Sequence, residues 1–179
     1  MDLIASITSV WPVYAREKAE SLIQRYGPPA EAHGSRLLWR ATPDGWKRTS
    51  ITSSVVPHDF PAPHFDCVEQ VIDYRVPVGM ISLLAQFDGS LVVHRTRGEL
   101  AAHCPLPEIN VSLVNLAHDI ITGRRTVDEA RAEHTRLCEA NNRGEKAPYA
   151  LAFQFRVPHG GTGDADVTTA SFARVEVPA

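Results

Sequence analysis

The densest group of chemistry-bearing side chains lies in a proline-rich segment that contains His58, His64 and Asp66. Imidazole and carboxylate are the ligand types of non-haem iron, manganese and zinc sites, where two histidines and one acid suffice. On an extended chain His64 and Asp66 project to the same side, because side chains alternate along a strand. A further ligand could be His58, folded back by the prolines, or His94 or His103 from a later hairpin. We therefore predict a divalent metal (Fe, Mn or Zn) bound among His58, His64, Asp66, His94 and His103.

The same residues could also catalyse proton transfer without a metal. A histidine beside a carboxylate keeps its pKa near neutrality and can move protons. This predicts a catalytic set of His64, Asp66 and His94, in which His64 acts with Asp66 or Glu69, or His94 acts with Glu99, although Glu69 should point away from His64 on a regular strand. Either chemistry implies a small enzyme that acts on a small molecule at a histidine-rich cleft. The plain alternative is that these histidines are exposed loop residues.

Two other function classes fit different residues. A non-catalytic binding or assembly module would use the proline and aromatic loop 56–66, with Trp46, Phe60 and Phe65 exposed as an interface, since aromatic anchors dominate binding patches. Such a module could join copies of the chain into a homo-oligomer. A phosphate or nucleotide binder would instead use the scattered arginine pairs, where guanidinium groups can meet free backbone N–H groups. These arginines are Arg95, Arg97, Arg124 and Arg125.

Composition narrows the class of protein. The chain has 179 residues, 44% hydrophobic and 22% charged, which is ordinary for one globular domain. Its net charge of −3 gives no long-range attraction to nucleic acid or anionic lipid, and no apolar stretch is long enough to span a membrane. The three cysteines are far apart, which favours reduced thiols and predicts a cytoplasmic protein.

Local patterns in the first half of the chain predict one helix, a hairpin and a strand. Residues 13–26 follow a proline and precede Gly-Pro-Pro, which predicts a helix. Thr-Pro-Asp-Gly at 42–45 predicts a turn between two strands. Residues 68–76 alternate apolar and charged side chains and predict a half-buried strand. Residues 78–87 suit a short helix.

A second hairpin is predicted over residues 91–104, with a turn at Arg97-Gly98. This turn would pair His94 with Ala101 and make His94 and His103 diagonal neighbours, roughly 7 Å apart. The inference depends on the turn, because a one-residue slip moves every side chain to the other face.

Two helices complete the predicted fold. Residues 107–122 show an apolar stripe, and Thr126-x-x-Glu129 is a capping box that begins a helix ending near residue 141. Hairpins and helices are segregated, so we predict an α+β fold: an antiparallel sheet of four to six strands with helices packed on one face. Residues 1–158 would form one domain, and 159–179 a Gly/Asp-rich linker and C-terminal tail.

Four segments of the chain form a familiar combination: Trp46-Lys47-Arg48-Thr49, His58-Asp59-Phe60-Pro61 with His64-Phe65-Asp66, Arg95-Thr96-Arg97-Gly98-Glu99-Leu100, and Asn115-Leu116-Ala117-His118-Asp119. In these segments the chain resembles a group of small bacterial proteins of unassigned function, over roughly residues 10–145. The resemblance implies a bacterial, self-contained domain and carries no activity, cofactor or catalytic residue.

Overall fold

The computed structural model describes residues 3–171 and contains one open antiparallel sheet of six strands with six helices. The strand order is β1-β2-β3-β4-β6-β5. The strands are β1 (Glu31–His33), β2 (Arg36–Arg40), β3 (Arg48–His58), β4 (His64–Asp73), β5 (Leu91–His94) and β6 (Glu99–His103). The helices are α1 (Leu3–Thr8), α2 (Val13–Tyr26), α3 (Ile81–Phe87), α4 (Pro107–Ile121), α5 (Val127–Asn142) and α6 (Pro148–Leu151). The α+β fold is therefore confirmed.

The predicted helix boundaries hold where the sequence carries capping residues. Helix α2 ends at Gly27, whose φ is 77° and whose N–H donates to Ile23 O. Helix α5 begins with a complete capping box, because the Thr126 side chain accepts from Glu129 N and the Glu129 side chain accepts from Thr126 N. Among residues 3–171, no helix is both long enough and apolar enough to cross a membrane.

Two apolar cores lie side by side on one face of the sheet. Val68 packs with α2, whereas Ile72 packs with α3, α4 and α5. Both project from the same face of β4, since they are separated by an even number of residues. Gln70 lies between them, donating to the Tyr26 hydroxyl over 3.2 Å and accepting from Asn110 Nδ2 over 3.1 Å. These hydrogen bonds satisfy a fully buried amide where the two cores meet.

The β3–β4 hairpin differs from the predicted irregular loop over 56–66. Strand β3 continues to His58 and β4 begins at His64, so only residues 59–63 form the loop. Strand β2 pairs with β3 only as far as Thr52. Beyond that point β3 has β4 as its one neighbour, and an edge of this kind tolerates Pro57.

The β5–β6 hairpin forms with a register that differs from the prediction by two residues. His94 pairs with Glu99, and residues 95–98 form the turn, where Gly98 has a φ of 63°. The predicted pairing of His94 with Ala101 is therefore wrong, although an even shift keeps every side chain on its predicted face. His103 lies four residues beyond Glu99, about 13 Å along β6, so the two histidines are not neighbours.

The segment predicted as a linker contacts this turn. The buried Thr162 side chain donates to Gly98 O over 2.7 Å, and Arg95 Nε donates to Asp164 over 3.0 Å. Residues 172–179 of the predicted tail lie outside the described residues.

Candidate metal centre

Three of the predicted ligands meet at the end of the β3–β4 hairpin. His58 and His64 are directly paired across the two strands, with ring centroids 4.9 Å apart. Asp66 lies two residues further along β4, on the same side as His64. One ligand atom from each of the three residues lies within 4.8 Å of the other two. The short loop between the strands is what brings His58 and His64 together.

The distances within this cluster suit a small cation. His64 Nε2 lies 3.2 Å from Asp66 Oδ1, and His58 Nδ1 lies 3.3 Å from Asp66 Oδ2. A metal about 2.0–2.2 Å from each ligand atom needs ligand atoms separated by roughly 3–4 Å. Asp66 is only 6% exposed, and its Oδ1 accepts no aligned hydrogen bond from the described residues. A buried carboxylate oxygen without a hydrogen-bond donor is available to bind a metal ion.

The electrostatics of the cluster keep Asp66 ionised. Burial acts to raise the pKa of Asp66, but contacts with His64, Ser90 and His58 outweigh it, and the pKa is lowered. The pKa of His64 is raised, mainly by the Asp66 carboxylate, against the opposing effect of burial. The carboxylate is therefore a permanent negative charge between two imidazoles at neutral pH.

Outer contacts orient these side chains. His64 Nδ1 lies 2.8 Å from Ala62 O, so a proton on Nδ1 leaves the Nε2 lone pair facing Asp66. Ser90 Oγ donates to Asp66 Oδ2 and lies 3.2 Å from His58 Nδ1. Backbone carbonyls and hydroxyls commonly fix metal-ligating imidazoles and carboxylates in this way.

Asp88 is a second buried carboxylate beside the cluster. It is 1% exposed, and its Oδ1 accepts from Ser90 N over 2.7 Å and lies 3.9 Å from His58 Nε2. Its Oδ2 has no hydrogen-bond partner among the described residues, and burial raises the pKa of Asp88. Sequence reasoning assigned no role to Asp88 or Ser90. The Asp-Gly-Ser turn is a local signal, but nothing in the sequence shows that it faces His58.

The structure places the other two predicted ligands differently. His103 lies beside the cluster, but its Nδ1 is 3.0 Å from Ser90 O and its Nε2 is 3.3 Å from Glu69 Oε2. Burial lowers the pKa of His103, yet Glu69 and the Ser90 carbonyl outweigh it and the pKa is raised. His94 is exposed at the far end of the hairpin, where its Nδ1 accepts from Arg97 N over 3.3 Å. His94 is not brought to the cluster, because the turn begins directly after it.

A cavity of about 210 Å³ opens beside the cluster. His58, His64, Asp88 and His103 contribute polar groups to its lining, and the remaining lining is mostly apolar. The apolar lining comes from the β3–β4 loop, α4 and α5, and includes Phe60, Leu106, Ile109, Leu113 and Cys138.

Helix α5 contributes a buried histidine to this cavity. His134 is 1% exposed, its ring centroid lies 5.4 Å from that of Phe60, and its Nε2 lies 3.5 Å from Cys138 Sγ. Burial lowers the pKa of His134 to about 4, and the charges of His64 and His58 add to the effect. Sequence reasoning assigned His134 no role. Its spacing from the buried Ala130 and Leu137 places it on the apolar stripe of α5, which was the available signal.

The residues of the alternative functions have mixed surroundings. Trp46 is buried, which corrects its expected exposure, Phe60 packs under Arg131, and Phe65 is exposed as predicted. Each of the four arginines proposed for phosphate binding lies within 4 Å of a carboxylate oxygen. Burial raises the pKa of the thiol of Cys67 to about 11 and that of Cys138 to about 12, so neither is a ready nucleophile.

Comparison with known proteins leaves the site to be interpreted from its geometry. No family model, curated protein or solved structure matches this chain.

Proposed function

We propose that this chain is a metal-dependent enzyme that acts on a small molecule bound in the cavity beside His58, His64 and Asp66. The observation that supports it is the convergence of two imidazoles and one buried carboxylate within 4.8 Å, with both imidazoles lining a mainly apolar cavity. Two histidines and one carboxylate are typical ligands of iron, manganese and zinc, and they leave coordination positions open for a substrate.

The chain's own residues would perform three tasks around the ion. A divalent ion held there would act as a Lewis acid toward an oxygen atom of the substrate. Ala62 O and Ser90 Oγ hold His64 and Asp66 in position. The buried Asp88 carboxyl group lies 3.9 Å from His58 Nε2 and provides a second acidic group beside the ion. The apolar walls exclude water, which strengthens every electrostatic interaction inside the cavity.

Elemental analysis of the purified chain tests the metal site. We expect one equivalent of iron, manganese or zinc per chain after gel filtration. His64→Ala and Asp66→Asn should each reduce this content by about tenfold or more, since loss of a ligand costs more than loss of an outer contact. His33→Ala is the matched control, because His33 is exposed on β1 and should leave the metal content unchanged.

Catalysis is tested separately by incubating the metal-loaded chain with a mixture of small neutral organic compounds and following the mixture by mass spectrometry. Turnover should appear with the native chain and disappear with Asp66→Asn. The proposal fails if the native chain binds no metal, or if Asp66→Asn still binds one equivalent of metal per chain.

Metal-free proton transfer by His64 is the second candidate, and the contact of His64 with Asp66 favours it. In that case turnover would persist in the presence of EDTA and follow the ionisation of the His64–Asp66 pair. Turnover that is abolished by EDTA and restored by added metal would exclude it.

A further inference from the structure

The shape and polarity of the cavity limit what can bind beside the metal ligands. We propose that the substrate is a neutral, single-ring phenol whose hydroxyl oxygen faces His58 and His64. This inference rests on the proposed function, because the oxygen is assigned to the metal.

The size of the cavity argues for one ring. A cavity of about 150 Å³ lined by apolar side chains binds benzene. The cavity here is about 210 Å³. The difference is roughly the volume of two water molecules, which corresponds to a few further non-hydrogen atoms. A single ring with small substituents therefore suits this volume, whereas a two-carbon or three-carbon compound would leave much of the apolar wall uncovered.

The wall is suited to an aromatic body. Phe60 and His134 present two rings, and Leu106, Ile109 and Leu113 of the segment leading into and along α4 complete an apolar surface. Aromatic rings gain about 0.5–1.5 kcal/mol in offset or edge contacts beyond the burial of their area. A planar ring therefore has partners here that a saturated chain does not have.

The charges argue for a neutral molecule with one oxygen donor. Among the described residues, no lysine or arginine lines the cavity. Asp66 already supplies one negative charge to a divalent ion. A phosphate dianion or a dicarboxylate would therefore bring more negative charge into the apolar cavity than the ion leaves uncompensated, which is costly. A phenol supplies one oxygen to the metal and keeps the rest of the molecule apolar.

Helix α5 defines the length of the cavity. His134, Cys138 and Asn141 share one face of α5, and all three line the cavity. His134 and Asn141 are separated by seven residues, or about 10 Å along the helix axis.

The test uses 4-methylphenol as the probe and calorimetric titration of the zinc-loaded full chain. We expect saturable binding that is about tenfold stronger than that of cyclohexanol, which lacks an aromatic ring, or of 1,4-dimethylbenzene, which lacks the oxygen. EDTA treatment should weaken 4-methylphenol binding by about tenfold, because the oxygen then loses its partner.

Two substitutions at Cys138 distinguish binding of the phenol in the cavity from binding of zinc at the metal site. Cys138→Phe fills the cavity and should weaken 4-methylphenol binding by about tenfold or more, whereas Cys138→Ala enlarges it and should retain binding. Neither should change zinc affinity by more than about twofold, since Cys138 is not among the clustered ligands. Cys138 is only half-buried, so both variants are expected to fold.

The outcomes distinguish the two proposals. Zinc binding without 4-methylphenol binding, or with equal binding by Cys138→Phe, overturns the substrate inference alone. Absence of zinc binding overturns the proposed function and this inference together.

Discussion

Acid should destabilise this protein through one buried imidazole. His134 is 1% exposed between the rings of Phe60 and Phe87. Its pKa is lowered to about 4, first by burial and then by the charges of His64 and His58. An unfolded chain has no such environment, and its histidine titrates with a pKa near 6.5.

The sign and size of the effect follow from proton linkage. Between pH 6.5 and pH 4 the unfolded chain binds a proton at His134 that the folded chain rejects. The contribution of His134 to the free energy of unfolding is therefore intact above pH 6.5, falls as the pH drops through this window, and levels off below pH 4. Between pH 7 and pH 5 the loss is about 2 kcal/mol.

Urea unfolding at pH 7 and pH 5, with EDTA present, measures this loss. The native chain should lose about 2 kcal/mol more than His134→Phe, which keeps the ring and removes the titration. His134→Gln serves as a second variant if phenylalanine packs poorly. His33→Phe, at an exposed site, should behave like the native chain. Equal acid losses in the native chain and both His134 variants would refute the reasoning.

Three further predictions concern the frame around the site. Gly98→Ala should destabilise the fold by about 1–3 kcal/mol and expose the C-terminal segment to proteolysis. The reason is that an added Cβ would lie 2.1 Å from the Thr162 carbonyl carbon. An unchanged melting temperature and digestion pattern would be contrary evidence. The pKa of Glu99 is lowered to about 2, mainly by Arg48 and against the opposing effect of burial. Its contribution, on the order of 3 kcal/mol, is present above pH 4.5 and lost towards pH 2, so Glu99→Gln should flatten the acid unfolding curve in that window, and a curve as steep as that of the native chain would count against it. Thr126→Ala should cost about 1 kcal/mol in urea unfolding by removing the cap of α5; a cost near zero would show that the cap contributes little.

Short-range signals determined which parts of the fold could be predicted. Helix α2 lies at its predicted residues because Pro12 and Gly27 act on their immediate neighbours. The capping box at Thr126 is likewise complete within four residues. Such signals need no knowledge of distant contacts, so sequence reasoning finds them.

Register and burial depend on partners far along the chain. The turn at 95–98 uses Gly98 as its last residue, and Arg97-Gly98 alone did not show how many residues precede it. The two-residue difference separated His94 from His103. Trp46 was expected to be exposed, but Phe153, more than a hundred residues later, packs against it.

The candidate site shows the same contrast between local sequence signals and long-range contacts. His58, His64 and Asp66 are close in sequence, and alternation along β4 was enough to place two of them together. The other residues of the site lie in the turn before β5 (Asp88 and Ser90) and in α5 (His134). Only the folded chain brings them to the hairpin. The spacing of histidines could identify the three candidate ligands but not the residues that orient and enclose them.

Titration of the EDTA-treated chain with Co²⁺, followed by visible absorption, tests the metal centre most directly. We predict saturation at one Co²⁺ per chain, with ligand-field bands and no thiolate-to-cobalt charge-transfer band, and loss of the signal in Asp66→Asn but not in His94→Ala. Absence of saturable binding, a thiolate band, or an unchanged titration in Asp66→Asn would contradict the assignment of His58, His64 and Asp66 as the ligands.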